Sequence, residues 1–315
     1  MKIAVDREMV SNLQSLRECT LCFRRCGIDR TSGDKGPCRA GLLPRVAASV
    51  QHTGEEPPIC GERGSGTIFF SGCSLRCVYC QNYQISQSRV GGDITPPRLA
   101  ELMIDLQERG SHNINLVSPT QYVPQIHAAI NMAKSMGLSV PVVYNSHGFD
   151  APEALQLLDG AVDIYLPDLK YSDDEVAKRL SGVEGYVRAS RKAISGMFDQ
   201  VGHLEIDPGT GLAKRGLLVR VLVLPEGLAG VKESLLFLKD SFGTRLAISL
   251  MAQYHPVYRA KEFPPLDRPI TASEYEEAVD DALALGFEEA WIQDRESTCV
   301  GIPDFTSERP FLFAQ

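Results

Sequence analysis

The nine cysteines of this chain are unevenly placed, and their spacing is its most chemical feature. Cys73, Cys77 and Cys80 stand at C-x3-C-x2-C, directly after the apolar run 67–70 and a glycine, Gly72. An apolar strand that ends in such a loop puts three thiolates at the mouth of a sheet. Three thiolates, rather than four, suit a metal cluster that keeps one position open for chemistry. Upstream, Cys19, Cys22, Cys26 and Cys38 follow C-x2-C-x3-C-x11-C, with Gly27, Gly33, Gly36 and Pro37 supplying turns. A tetrahedral zinc ion and a second iron–sulfur cluster both accept four thiolates, and the spacing does not decide between them. A knob with so few apolar residues has little besides a metal to fold around. Cys60 and Cys299 stand alone and read as incidental thiols. A disulfide framework would not usually leave the whole stretch between Cys80 and Cys299 empty.

Other reactive side chains sit at the ends of apolar runs. Asp168 and Lys170 are two apart, so a strand would show both on one side, as a surface ion pair or as part of a pocket. Arg220 lies inside an apolar run, and a buried guanidinium needs a carboxylate partner. His147 and His255 follow the runs expected to be the third and sixth strands. The glycines of 61–66 lack a following Lys-Ser/Thr and read as a turn rather than a phosphate loop.

The elements that must position these groups alternate. Strands are expected at 67–70, 114–117, 140–144, 163–166, 217–224 and 246–250. Helices are expected at 96–109, 122–136, 152–158, after 172, at 185–198, at 231–242 and after 273. Leu99, Leu102, Met103 and Leu106 recur at helical spacing, with Thr95 as N-cap and Pro96 in the first turn. Ser172 with Glu175, and Ser273 with Glu276, read as capping boxes. Six strand–helix units in alternation imply parallel strands with right-handed crossovers, and hence a partial (β/α)6 TIM-like barrel. Such sheets put active groups at the C-terminal ends of their strands. Residues 1–60 show no such alternation. They read as a helix at 7–17, the cysteine knob and a polar linker at 54–58. The expected division is a cysteine-rich metal-binding extension (1–60), the barrel (61–293) and a tail (294–315).

With 43% hydrophobic and 23% charged residues among 315, the composition is that of an ordinary globular chain. A formal net charge of −8 argues against a general nucleic-acid binder. No apolar run is long enough to span a membrane, and charge appears at once after Met1. The expected location is the cytoplasm, where clustered cysteines are metal ligands before they are disulfides.

The stretch Gly66–Ser86, GTIFFSGCSLRCVYCQNYQIS, resembles the pyruvate formate-lyase activating enzyme group of the radical S-adenosylmethionine (SAM) superfamily. It resembles more closely the iron–sulfur branch of that group with extra N-terminal cysteines, and later motifs extend the likeness over residues 19–293. The resemblance implies a [4Fe-4S] cluster on Cys73, Cys77 and Cys80 whose open iron binds SAM. Reductive cleavage of SAM to a 5′-deoxyadenosyl radical, and hydrogen abstraction from a substrate, would follow. It further implies Tyr79 near the adenine, Asn145 as a SAM contact, and Asp168, Lys170, Arg220 and His255 around the SAM pocket. Where many relatives carry Gly-Gly-Glu after the second strand, this chain reads Ser118-Pro119-Thr120. Ser118 and Thr120 offer oxygens there but no acid. The implied electron donor is a flavodoxin or ferredoxin, and the implied substrate a glycine in a protein such as a glycyl radical enzyme. A small-molecule substrate, and a non-enzymatic iron–sulfur or zinc redox sensor, are the rival readings.

Overall fold

The computed structural model describes residues 15–293, 302–307 and 309–311. The parallel strands are β2 (Ser65–Phe70), β4 (Ile114–Val117), β5 (Val142–Ser146), β6 (Ile164–Leu169), β8 (Ala213–Leu222) and β9 (Ala247–Met251). They neighbour one another in that order, and β10 (Ala290–Ile292) extends the sheet in parallel beyond β9. Between them lie α3 (Pro96–Glu108), α4 (Val123–Ser135), α5 (Pro152–Leu158), α6 (Asp174–Ser181), α7 (Tyr186–Val201), α8 (Val231–Phe242) and, before β10, α9 (Ala272–Leu285). Shorter helical turns are α1 (Pro57–Cys60) and α2 (Tyr83–Ser86). Edge pieces β1 (Arg45–His52), β3 (Gly92–Asp93) and β7 (Glu205–Ile206) pair antiparallel. This is the expected partial (β/α)6 barrel.

Strand alternation sorts the two faces. Ile68, Phe70, Leu116, Tyr144, Tyr165, Val219 and Leu250 join the helices in the large core. Val143, Ile164, Leu166, Leu218 and Ala247 point the other way and pack on Ile59 as a separate lumen core. The next lumen layer is polar: Asn115, Asn145, Arg220 and Ser249 are buried on the same strand faces. Above it come the strand ends and the cysteine loop. Apolar residues thus fill the bottom of the barrel and chemistry-bearing ones the top.

Two caps shift from their expected residues. Helix α9 starts on Thr271, whose hydroxyl accepts from the Glu274 N–H while Glu274 reaches back. Ile270 and Tyr275, both buried, hold the staple positions on either side of that box, which is why it prevails over Ser273–Glu276. Helix α6 starts on Asp173, which accepts from the Glu175 and Val176 N–H groups. A carboxylate in that place serves better than the Ser172 hydroxyl.

The N-terminal stretch departs further. Residues 45–52, expected to carry no strand, form β1 against β2. Residues 54–58 are no solvated linker, since Glu56, Pro58, Ile59 and Cys60 are buried. This segment runs into the lumen, where Ile59 seals the apolar layer and the glutamates meet Arg220. Most of the helix expected at 7–17 lies outside the described residues, as do Cys299 and much of the tail; residues 15–17 are helical.

Candidate active site: a three-thiol loop and a four-thiol knob

After β2 the chain turns at Gly72, whose φ of 86° suits glycine and whose Cβ would lie 2.5 Å from the Cys38 carbonyl oxygen. That close approach brings the knob against the back of the cysteine loop. The loop is pinned from both sides. Arg76 and Val78 donate their N–H groups to the Ser181 and Leu180 carbonyls (2.8 and 2.9 Å) at the end of α6. From the segment after β9, the Arg259 N–H reaches the Val78 carbonyl (2.9 Å).

Cys73, Cys77 and Cys80 all face one cleft, together with Ser118, Asn145 and Asp168, and the described cysteines are all free thiols. Lys170 lines the same cleft and donates to Asp168 Oδ2 at 2.6 Å. Burial opposes its ammonium, but Asp168 and then Cys77 outweigh this and raise the lysine above its ordinary pKa, so it is charged. Burial, with the neighbouring Cys77, pushes the Cys80 thiol up to about 11, and burial raises Cys73 and Cys77 as well. Such thiols give up their protons to a metal rather than to water. Soft donors from one loop, facing one cleft and free of disulfides, fit an iron–sulfur cluster with an open iron. Among the described residues no group of three or more His, Cys, Asp or Glu is arranged so that it could hold a metal ion. The cysteines are gathered but not closed upon a centre.

The other expected site residues divide. Tyr79 lines the cleft, with its ring 5.8 Å from that of Tyr254 and its hydroxyl turned to Tyr171. Ser118 lines it too, at a left-handed φ of 57°, a conformation glycine favours. Thr120 does not line it: its hydroxyl donates to Asp150 at 2.6 Å and it borders the knob instead. His255 is exposed and off the cleft lining. Arg220 has the carboxylate partner that burial requires, and the chain itself supplies it. Nε donates to Glu56 (2.7 Å) and Nη2 to both Glu55 and Glu56. His147 faces the cleft with both ring nitrogens engaged. Its Nδ1 accepts from the Phe149 N–H (3.2 Å), which leaves Nε2 to carry the proton toward Ser74 Oγ (3.0 Å). Burial, reinforced by Lys170, lowers its pKa and keeps it neutral.

Sequence reasoning missed Glu55 and Glu56, although two acids before Pro57-Pro58 and a lone arginine in an apolar strand were a pair to match. It also missed Ser86, Tyr171 and Ser181, for which no local signal exists.

The four N-terminal cysteines border one small pocket behind the loop, shared with Ser74 and Arg24. Burial raises Cys22 to about 12 and raises Cys38 too, and the neighbouring knob cysteines add to both. Arg24 bolts the knob on, with Nε to the Ser74 carbonyl (2.5 Å) and Nη2 to the Gly182 carbonyl (2.6 Å). The chain pairs backbone with the loop after β5 as well, through Phe23 N–H to Phe149 and Ala151 N–H to Leu21.

The site is thus three free thiols on the first strand-end loop of an open α/β barrel, with polar strand ends facing the same cleft. The model of the radical SAM superfamily matches residues 67–204, a stretch that includes that loop, and over that stretch the chain is similar to the radical SAM superfamily. It is 29% identical over 282 residues to an uncharacterized protein of Methanocaldococcus jannaschii, covering 87% of this chain and 76% of that one. Among solved structures it is similar to methylornithine synthase (TM-score 0.51, 16% identity, 72% of this chain and 63% of that one). It is similar also to HydG, a maturase of the FeFe-hydrogenase (TM-score 0.50, 13% identity, 72% of this chain). It spans only half of HydG and under two thirds of methylornithine synthase, and at these identities the likeness is one of fold.

Proposed function

We propose that this protein binds a [4Fe-4S] cluster on Cys73, Cys77 and Cys80 and SAM in the cleft beside it, and abstracts a hydrogen atom from a substrate. The observation that carries this reading is the shared cleft, in which three free thiols meet Ser118, Asn145, Asp168 and Lys170 from successive strand ends. When bound by these thiols, a cluster would supply the electron that breaks the C5′–S bond of SAM, giving methionine and a 5′-deoxyadenosyl radical. The residues of the chain do the rest. The thiols fix the cluster, the charged Lys170 and the carboxylate of Asp168 offer partners for the two ends of a zwitterion, and Tyr79 and Tyr254 wall the cleft with aromatic surface. Burial of these groups keeps water from the reacting atoms.

For the substrate, a glycine in a partner protein is the finer proposal, with a flavodoxin or ferredoxin as electron donor and the cytoplasm as location. No residue of the knob is among those lining the cleft, which supports access by an extended loop. Among the described residues no helix is long and apolar enough to cross a membrane. For Cys19, Cys22, Cys26 and Cys38 the proposal is one metal centre, zinc or a second cluster, separate from the loop. The deciding experiment is anaerobic reduction of the reconstituted protein with SAM. The proposal predicts 5′-deoxyadenosine, and a glycyl-radical doublet when the right partner is added. A redox sensor would give no 5′-deoxyadenosine. Deoxyadenosine without a doublet on any glycyl radical enzyme of the same cell would remove the protein-glycine substrate and leave the rest standing.

A further inference from the structure

Every sulfur of the catalytic loop meets a hydrogen-bond partner. The Leu75 N–H points at Cys73 Sγ (3.4 Å), Ser86 Oγ lies 3.2 Å from Cys80 Sγ, and Ser181 Oγ donates to Cys77 Sγ at 2.9 Å. Behind Ser181 the chain of hydroxyls continues. Tyr171 Oη lies 2.6 Å from Ser181 Oγ, and Tyr79 Oη 2.5 Å from Tyr171 Oη. Ser181 and Tyr171 are fully buried and Tyr79 and Cys77 nearly so, which leaves little room for water to compete.

Chemistry fixes the direction of this chain. A cysteine that ligates a cluster is a thiolate and can only accept. The single proton of Ser181 therefore goes to sulfur, so Ser181 accepts from Tyr171, and Tyr171 in turn accepts from Tyr79. Three hydroxyl dipoles line up head to tail on one ligand, and in a dry site each polarises the next. Ser181 is held for this work. It is the last residue of α6, Gly182 breaks the helix there at a φ of 63°, and the Ser181 carbonyl accepts the Arg76 N–H of the loop itself.

Resting on the radical SAM reading, we propose that Ser181 is a positioning residue that, backed by Tyr171 and Tyr79, raises the reduction potential of the cluster. Reduction puts more charge on the ligand sulfurs, and a donor aimed at a sulfur stabilises the reduced cluster more than the oxidised one. The aromatic residue that precedes the third cysteine thus acts through its hydroxyl on the second cysteine, beyond any contact its ring makes in the cleft.

The test is a potential, not a rate. Anaerobically reconstituted full-length protein is poised at a series of potentials and the reduced cluster is counted by EPR. Ser181→Ala should move the midpoint down, so that at a fixed potential the reduced-to-oxidised ratio falls roughly fivefold. Tyr171→Phe deletes one oxygen and should shift the midpoint the same way by less, and Ser181→Thr, which keeps the hydroxyl, should stay near the parent. If Ser181→Ala fails to take up a cluster, Tyr171→Phe carries the test. A parent-like midpoint in every variant that loads overturns the inference and leaves the radical SAM reading intact. A parent protein that assembles no cluster at all overturns both.

Discussion

The two cysteine sets lie back to back across Ser74, yet they hold sulfur differently. In the knob, Cys22 and Cys38 have backbone N–H groups two residues on beside their sulfurs, those of Arg24 and Ala40. The loop has the same contacts, Leu75 on Cys73 and Asn82 on Cys80, and adds hydroxyls from outside, Ser181 on Cys77 and Ser86 on Cys80. Backbone donors follow from the turn alone and survive almost any side-chain change. Hydroxyl donors depend on which residues α6 and α2 bring up. The knob is built as a fixed holder, and the loop as a site whose electronics the surrounding fold can set.

The largest expected effect separates the two sets outright. Cys77→Ala removes a proposed cluster ligand and should abolish 5′-deoxyadenosine formation, a loss greater than the roughly 10–100-fold that follows loss of an outer partner. Replacing Cys73, Cys77 and Cys80 together should leave the knob's metal in place, read as about one zinc or one cluster by elemental analysis. Deoxyadenosine at the parent level in Cys77→Ala would defeat the assignment of the loop. Neither zinc nor iron in the triple variant would make the knob a metal-free fold and end the contrast.

A second variant should disturb neither set directly. Arg220→Met leaves Glu55 and Glu56 buried without their cation, which costs about 3–5 kcal/mol by urea unfolding. The pH dependence has a definite sign. Burial opposes the Glu56 carboxylate, but Arg220 prevails and depresses its pKa in the folded state. Its stabilisation is therefore present above the unfolded value of about 4.3 and is lost as pH falls through the folded value. Glu56→Gln should be the less stable protein at pH 7 and should lose less stability than the parent between pH 5 and pH 2. A parallel loss in both proteins would show that the Glu56–Arg220 pair is not what the acid limb reports.

Much of this was legible beforehand. Helical spacing and β-rich runs gave the barrel, because each element buries one face and its period shows. The cysteine loop was legible because its chemistry is local. What escaped was assembled from afar. Glu55 meets Arg220 across 165 residues and Ser181 meets Cys77 across 104, and neither serine nor glutamate carries any local mark of its partner. Segment 54–58 looked like a linker because its acids suggest solvent, and only the lone arginine of β8 explains why they are buried. Of the SAM-pocket residues expected by resemblance, those at strand ends, Asn145, Asp168 and Lys170, do line the cleft. Thr120 and His255, chosen from the loops beyond, do not, and neither does Arg220 on β8, which Glu55 and Glu56 engage instead.

The next effect tests how firmly the sets are coupled. Arg24 spans them, and its two bonds go to carbonyls of the catalytic side. Arg24→Met keeps the stem and removes both, at a cost of about 1.5–3 kcal/mol for bonds from a charged group. Hydrogen exchange should rise in residues 19–38 while β4 to β6 stay protected. Equal exchange in the knob would mean that the backbone pairing to the loop after β5 suffices to dock it.

The smallest expected effect concerns the cleft wall beside both sets. Ser118 holds a φ of 57° and is tied on both sides, its N–H to the Asn145 carbonyl (3.0 Å) and its own carbonyl to Gln121 Nε2 (2.7 Å). A left-handed serine carries backbone strain of about 1 kcal/mol, which glycine avoids but partly repays through the greater freedom of its unfolded chain. Ser118→Gly should thus change stability by less than about 1 kcal/mol, while Ser118→Val, branched at Cβ, should be clearly destabilising. If the position matters to SAM only through its backbone, the glycine variant will bind SAM with parent affinity, as measured by equilibrium dialysis on reconstituted protein. A severalfold weaker affinity in Ser118→Gly, with stability unchanged, would instead make the hydroxyl itself a ligand to the cofactor, in the place where many proteins of the superfamily this chain resembles carry an acid.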